Sequence, residues 1–91
     1  MELTHPGEVL NIEIVEGRNL TIAKAADLLG VTRPFLSNIL NGKSAITPNI
    51  ALRVETVFGG AARFWVGLQS SYDLSIAKKK FIKNPQNIPR N

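Results

Sequence analysis

The stretch "LLGVTRPFLSNILNGK" (residues 28–43) holds two short apolar runs separated by Gly-Val-Thr, and the second run ends at Asn-Gly. Glycine tolerates the left-handed backbone that often ends a helix, so Gly30 is predicted to end the first one. Thr32 is a suitable N-cap for the next helix, and Pro34 then lies in a first turn that does not need its missing amide. The pattern therefore predicts two short helices joined by a three-residue turn, a helix-turn-helix.

The rest of the chain has the same helical period, and no stretch alternates apolar and polar residues for long enough to indicate a strand. Proline and threonine mark helix starts, while glycine and asparagine mark helix ends. These signals bound the first four helices as Pro6 to Glu16, Thr21 to Gly30, Thr32 to Asn41-Gly42, and Thr47-Pro48 to Gly59-Gly60. The fold class is predicted to be all-α, a compact five-helix domain with a short basic C-terminal extension.

The C-terminal third has weaker signals. A fifth helix should carry Phe64 and Trp65 and end near Ser71, and a further short helix should reach Ile82. An aromatic pair within an amphipathic helix is typical of a core, although it could also stack on single-stranded nucleic acid. The domain is expected to span residues 1–83, and residues 84–91 are expected to form a disordered tail.

Composition excludes several classes of protein. The chain has no cysteine, and His5 is its only histidine, so it lacks the ligands of a common zinc site and no metal or cofactor is expected. No catalytic constellation is visible, so an enzyme is not expected. No apolar run approaches the ~20 residues of a membrane span, and the N-terminus lacks a signal-peptide layout, so we expect a cytoplasmic protein.

The net charge of +4 is unevenly distributed along the chain. Residues 1–27 sum to −3, whereas residues 28–54 sum to +3 through Arg33, Lys43 and Arg53, and residues 74–91 sum to +5. Two basic segments are compatible with a polyanionic partner. They are equally compatible with a small domain whose lysines are only solvated.

The polar residues of the third helix favour DNA. Arg33 can donate two hydrogen bonds to guanine, Asn38 can pair with adenine, and Ser37 suits a base edge or a phosphate. Lys43 and the N-termini of the second and third helices suit phosphates. The residues predicted to contact double-stranded DNA are Thr21, Thr32, Arg33, Pro34, Ser37, Asn38, Asn41 and Lys43. The alternative is that these side chains are simply solvated.

Four stretches together carry a family resemblance: "HPGEVL" (5–10), "LGVTRPFLSNILNGKSAIT" (29–47), "ALRVETVFG" (51–59) and "FWVGLQSSYDLSIAKKK" (64–80). They resemble the HigA-type antitoxins, also called virulence-associated protein I, within the lambda-repressor-like helix-turn-helix class. The resemblance implies a homodimer that binds the palindromic operator of its own operon and represses it. It also implies a cognate toxin as partner, usually a RelE-like mRNA-cleaving ribonuclease, and a dimer interface on the fifth helix and the following segment.

Three places depart from the family pattern, and at one of them Ala61-Ala62-Arg63 replaces the usual Ser-Pro-Glu, so the cap of the fifth helix should be weak. Ile22 stands where the family often has a glutamine that contacts phosphate, so that contact should be absent. Ile12 stands where the family is often polar, and we expect it to extend the core, with a protein interface as the alternative. Two other function classes stay open, a stand-alone phage-type repressor and a protein-binding helical module. A neighbouring toxin gene and operator binding, respectively, would separate them from an antitoxin.

Overall fold

The computed structural model describes residues 4–83, and every regular element in this range is helical. The helices are α1 (Pro6–Ile14), α2 (Ile22–Leu29), α3 (Arg33–Leu40), α4 (Pro48–Phe58) and α5 (Ala62–Lys83), with a 3₁₀ turn at Glu16–Arg18 between α1 and α2. The predicted all-α, five-helix fold is confirmed. Within the described range, no helix is long and apolar enough to cross a membrane.

Side-chain caps mark the starts of the first four helices, and the three threonine caps are those that the sequence predicts. The hydroxyl oxygens of Thr21, Thr32 and Thr47 accept hydrogen bonds of 3.0, 3.2 and 3.3 Å from amides three residues later. At α1, His5 has the same role, because its Nδ1 accepts from the Gly7 amide at 2.9 Å. Gly30 ends α2 in the left-handed conformation, with a φ of 72°. Each cap satisfies a backbone amide that the first turn leaves unpaired.

One apolar core joins the helices. The largest side chains that are almost completely buried are Pro6, Leu10, Ile14, Leu36, Ile39, Ile50 and Val54. Ala25 and Ala26 are buried as well, and their small side chains let α2 lie close to its neighbours. Gly7 brings α1 against the end of α3, since a Cβ at this position would collide with the Ile39 carbonyl oxygen. The core therefore holds α3 from one side only.

Two helix boundaries differ from the prediction. The first helix ends at Ile14 rather than Glu16, because the chain tightens into the 3₁₀ turn and reverses at Asn19, which has a φ of 56°. The fifth helix does not end near Ser71 and restart, but runs unbroken for 22 residues. No proline or glycine interrupts residues 68–83, and the Gln69 amide donates to Asp73 at 2.9 Å across the expected break.

Two residues predicted in the core are outside it. Phe64 is 54% exposed and its ring forms a T-shaped pair with that of Trp65, with centroids 5.0 Å apart, and Trp65 is the residue of the pair that is buried. Ile12 is 56% exposed, because it lies about 200° around the helix from both Leu10 and Ile14, which face inward. The predicted tail at residues 84–91 lies outside the described residues.

Candidate nucleic-acid interface

The third helix has one apolar face and one polar face. Leu36, Ile39 and Leu40 are buried, and their spacing places all three toward α1 and α2. Arg33 and Asn38 are exposed. The helix therefore lies with its inner face on the core and its outer face available to a partner, as the sequence predicts.

Arg33 and Asn38 are free to bind a partner. Neither side chain makes a hydrogen bond or ion pair with the part of the chain that the structure describes. Arg33 occupies the first position of α3, where its positive charge opposes the helix dipole at a small cost. A guanidinium group and a carboxamide are the two side-chain types that form paired hydrogen bonds with guanine and adenine in the major groove.

Ser37 and Asn41 lie together at the other end of α3. The Asn41 side-chain nitrogen donates to the Ser37 hydroxyl oxygen at 3.2 Å, and Ser37 is half-buried while Asn41 is exposed. This hydrogen bond holds the two side chains in one orientation. The serine hydroxyl keeps its hydrogen, and the asparagine keeps its carbonyl oxygen, for an outside partner.

The N-termini of α2 and α3 are exposed at their capping threonines. Thr21 and Thr32 use their oxygens as caps, but their hydroxyl hydrogens can still be donated. The remaining first-turn amides carry the positive end of the helix dipole, which favours a phosphate. Pro34 is exposed in the first turn of α3 and lacks an amide to contribute. In the described part of the chain, residues 4–83, no hydrogen bond links the Thr21 side chain to α3.

Lys43 lies close to the end of α3 because of the loop that follows the helix. The amides of Lys43 and Ser44 both donate to the Asn38 carbonyl, at 2.8 and 3.2 Å. Gly42 has a φ of 77°, a backbone that favours glycine and lets the chain turn back onto the helix. The exposed lysine is therefore fixed by its backbone beside Asn38, where a phosphate next to a contacted base could lie.

Arg53, the third basic residue of the segment 28–54, lies on α4 and is hydrogen-bonded within the protein. Its Nη1 donates to the Leu29 carbonyl and its Nε to the Asn49 side chain, both at 2.9 Å. It thus satisfies a carbonyl at the end of α2 and ties that end to α4. Counting charges along the chain could not separate this structural arginine from Arg33.

Two residues near this surface were not singled out from the sequence. Phe35 is 46% exposed on α3, and the only signal is that it falls outside the spacing of the buried residues. Gln69 is 6% exposed and receives a hydrogen bond of 2.8 Å from the Ile46 amide. The sequence signal for Gln69 is that a polar residue stands four positions after Trp65, where the helical period predicts a buried apolar side chain. Among residues 4–83, no group of three or more acidic or histidine side chains could hold a metal ion.

Comparisons with known proteins identify the family and the fold. The Helix-turn-helix family model matches residues 12–65. Virulence-associated protein I of Dichelobacter nodosus is 34% identical over 79 residues, which cover 87% of this chain and 73% of that protein. The structure of an addiction module antidote protein of the HigA family from Coxiella burnetii superposes with a TM-score of 0.85 at 33% identity, over 100% of both chains.

A third similar protein was solved with DNA. Pseudomonas aeruginosa antitoxin HigA, in a structure with the higBA promoter, has a TM-score of 0.85 and 31% identity, over 94% of this chain and 95% of that one. None of the three proteins is named as an enzyme. The resemblance to HigA-type antitoxins and virulence-associated protein I is therefore confirmed, and this chain belongs to the helix-turn-helix family.

Proposed function

We propose that this protein is a DNA-binding antitoxin that represses its own operon, with α3 in the major groove of the operator. The observation that carries this is the exposed outer face of α3, where Arg33 and Asn38 have no partner within residues 4–83. Similarity to a HigA antitoxin solved with promoter DNA supports it. In this arrangement Arg33 and Asn38 contact bases, whereas Thr21, Thr32 and Lys43 contact phosphates.

The experiment compares base contacts with phosphate contacts. Replacing Arg33 or Asn38 by Ala should cost about 1–3 kcal/mol on the preferred operator and relax discrimination at one base pair per half-site. Lys43→Ala should weaken all sequences alike, because phosphates carry no sequence information. Binding is measured by gel shift on operator and scrambled DNA, with thermal melts to verify folding.

Wild-type ratios of operator to scrambled binding in both Arg33→Ala and Asn38→Ala would exclude α3 as the base-contacting helix. The remaining predicted contacts can be tested in the same assay. Ser37→Ala and Asn41→Ala each remove one partner of the 3.2 Å hydrogen bond, so a double variant that loses no more affinity than either single variant would indicate that the pair acts as a unit.

We further propose that the protein acts as a homodimer. One helix of eight residues contacts only a few base pairs, so useful specificity requires two, about 34–36 Å apart on a palindrome. The second half of α5 supports the interface, since Leu74 and Phe81 are exposed two helical turns apart and Ile82 is 75% exposed. Light scattering at tens of micromolar without DNA should give the dimer mass, and a strictly monomeric mass would contradict it.

The proposed toxin partner is a basic RelE-like ribonuclease, an assignment that rests on the family and on charge. Glu8, Glu13 and Glu16 are all exposed on α1 and the turn after it, and opposite charge speeds association. Co-expression with the adjacent toxin gene should rescue growth, and the two proteins should co-purify. If a toxin is absent and operator binding persists, the protein is a stand-alone repressor. If operator binding is also absent, it is a protein-binding module.

A further inference from the structure

The loop between α3 and α4 (residues 41–47, the α3–α4 loop) is fixed at both ends by hydrogen bonds. At its start, the Lys43 and Ser44 amides donate to the Asn38 carbonyl. At its end, the amide of Ile46, which is 2% exposed, donates to Gln69 Oε1 at 2.8 Å, across 23 residues of sequence. The first anchor ties the loop to the proposed DNA-contacting helix, and the second ties it to α5.

Gln69 is polar and almost fully buried, yet both ends of its amide are used. Its oxygen accepts from Ile46, and its nitrogen donates to Asp73 Oδ1 at 2.9 Å. Burying an amide costs free energy unless it is hydrogen-bonded, and burying the Ile46 amide without an acceptor would cost as well. The Asp73 bond fixes which way the Gln69 amide faces, because it occupies the nitrogen and leaves the oxygen toward the loop.

A second contact supports the loop from the next turn of α5. The His5 ring meets the Tyr72 ring edge-on, with centroids 4.8 Å apart, and it also lies beside Gly42, where an added Cβ would be 3.4 Å from His5 Cγ. His5 thus fills the space between α5 and the loop. Lys43, the exposed residue proposed to contact phosphate, lies between the Gly42 and Ile46 supports.

We propose that Gln69 is a positioning residue for DNA binding: it holds the α3–α4 loop so that Lys43 meets the DNA backbone. This inference rests on the proposed function, because it requires Lys43 to contact a phosphate. Gln69 itself touches no DNA. Its effect should therefore appear in the electrostatic, sequence-independent part of the affinity and not in base discrimination.

The test uses substitutions that change the two hydrogen bonds separately. Gln69→Met keeps the length of the side chain and removes both bonds. Asp73→Asn is the matched control, since the introduced amide oxygen can still accept from Gln69. The double variant Gln69→Glu/Asp73→Asn reverses the direction of the second bond: the new carboxylate accepts from both the Ile46 amide and the side-chain nitrogen of the introduced asparagine. It also keeps the net charge of the pair.

Operator affinity is measured from 50 to 300 mM salt, with Lys43→Ala as reference. Each lost phosphate contact lowers the magnitude of the negative slope of log K against log salt by about 0.9, so Lys43→Ala should lower this magnitude by about 1.8 in the proposed homodimer, which loses one contact in each subunit. The slope named below is this magnitude. We expect Gln69→Met to lower the slope by a similar amount, with the ratio of operator to scrambled binding unchanged. Adding Gln69→Met to Lys43→Ala should lower it no further. Asp73→Asn and the double variant should keep the wild-type slope.

Three results would overturn the inference. If Gln69→Met melts at a lower temperature but keeps the wild-type slope while Lys43→Ala lowers it, Gln69 serves only packing and the proposed function stands. If Lys43→Ala itself leaves the slope unchanged, the proposed phosphate contact fails and the inference fails with it. If Gln69→Met does not fold, Gln69→Glu alone must lower the slope, because its carboxylate is repelled by Asp73 and drawn away from the loop, and the double variant must restore the slope. A double variant that does not restore the slope is the third result.

Discussion

The α2–α3 unit and α5 differ in which side chains they bury and which they expose to solvent. Each of the two short helices starts at a threonine cap and buries three residues, with a left-handed glycine between them. The long helix α5 has 22 residues but buries only Trp65 and Gln69, and its second half carries exposed apolar side chains. The short unit presents mainly polar side chains to solvent, with Leu28 and Phe35 as exceptions, whereas the second half of α5 exposes Leu74, Phe81 and Ile82 among its lysines.

This difference indicates what each surface is suited for. A polar outer face, whose arginine and asparagine side chains have no partner among residues 4–83, is matched by the polar groove of DNA. An apolar outer face costs free energy in water and is typical of a protein interface. The same chain thus presents a mainly polar surface on α3 and a mixed apolar and basic surface on the second half of α5, and the following variants test how separate they are.

The largest effect on the free energy of unfolding is expected when a leucine is replaced by alanine in α3, and the same replacement in α5 serves as the comparison. Leu36 is fully buried in α3, so Leu36→Ala should lower the free energy of unfolding by about 2–5 kcal/mol. Leu74 is 56% exposed in α5, so Leu74→Ala should change the stability of the monomer by less than about 0.5 kcal/mol. Urea denaturation at two protein concentrations measures both, since any loss that depends on concentration belongs to association. Equal losses in dilute protein would contradict the contrast.

A second pair compares glycines. Gly7→Ala places a methyl group against the Ile39 carbonyl, and such overpacking costs about 1–3 kcal/mol. Gly67→Ala in α5 has no atom within 4 Å of the new Cβ, so the better helix propensity of alanine should stabilise the protein by about 0.5–1 kcal/mol. Thermal melts should therefore shift in opposite directions. A stable Gly7→Ala variant would mean that α1 can move away from α3.

The smallest effect concerns the lysines of α5. Lys80 and Lys83 lie in the last turn, where positive charge favours the helix dipole by about 0.3–1 kcal/mol each. Replacing both by Gln leaves the helix length unchanged, whereas truncation after Asp73 would cut through α5. If these lysines contact phosphates in both subunits of the proposed homodimer, the magnitude of the slope of log K against log salt should fall by up to about 3.6. An unchanged slope, with dimerisation intact, would mean that Lys80 and Lys83 stabilise the helix but do not contact phosphates.

How far the sequence predicts the structure depends on whether a feature is local. The caps at Thr21, Thr32 and Thr47 and the end at Gly30 are determined by neighbouring residues, and all four predictions are confirmed. The predicted break of α5 near Ser71 is wrong: residues 68–83 lack proline and glycine, and the serines there do not end the helix. The solvent exposure of Phe64 depends on which neighbour fills the core, so helical period alone could not place it.

The residues of the candidate site also fall into those that local sequence predicts and those that depend on distant contacts. Placing Arg33 and Asn38 on an outer face needs only the period of α3, and the structure agrees. Separating Arg53 from them needs the contact between α2 and α4, and finding Gln69 needs the contact between α5 and a loop 23 residues earlier. Such distant pairs have no local signature. The DNA contacts themselves stay predictions until the variants above are measured.

The shortness of α3 has a consequence for how this surface can exist at all. Eight residues extend only about 12 Å, and isolated helices below about 12–15 residues are marginal in water, because nucleating the first turn is costly. A synthetic peptide of residues 32–43 should therefore be a random coil. Burial of three side chains in the body of the protein is what keeps Arg33 and Asn38 at a fixed separation, so the proposed recognition surface is present only in the fraction of molecules whose core is folded.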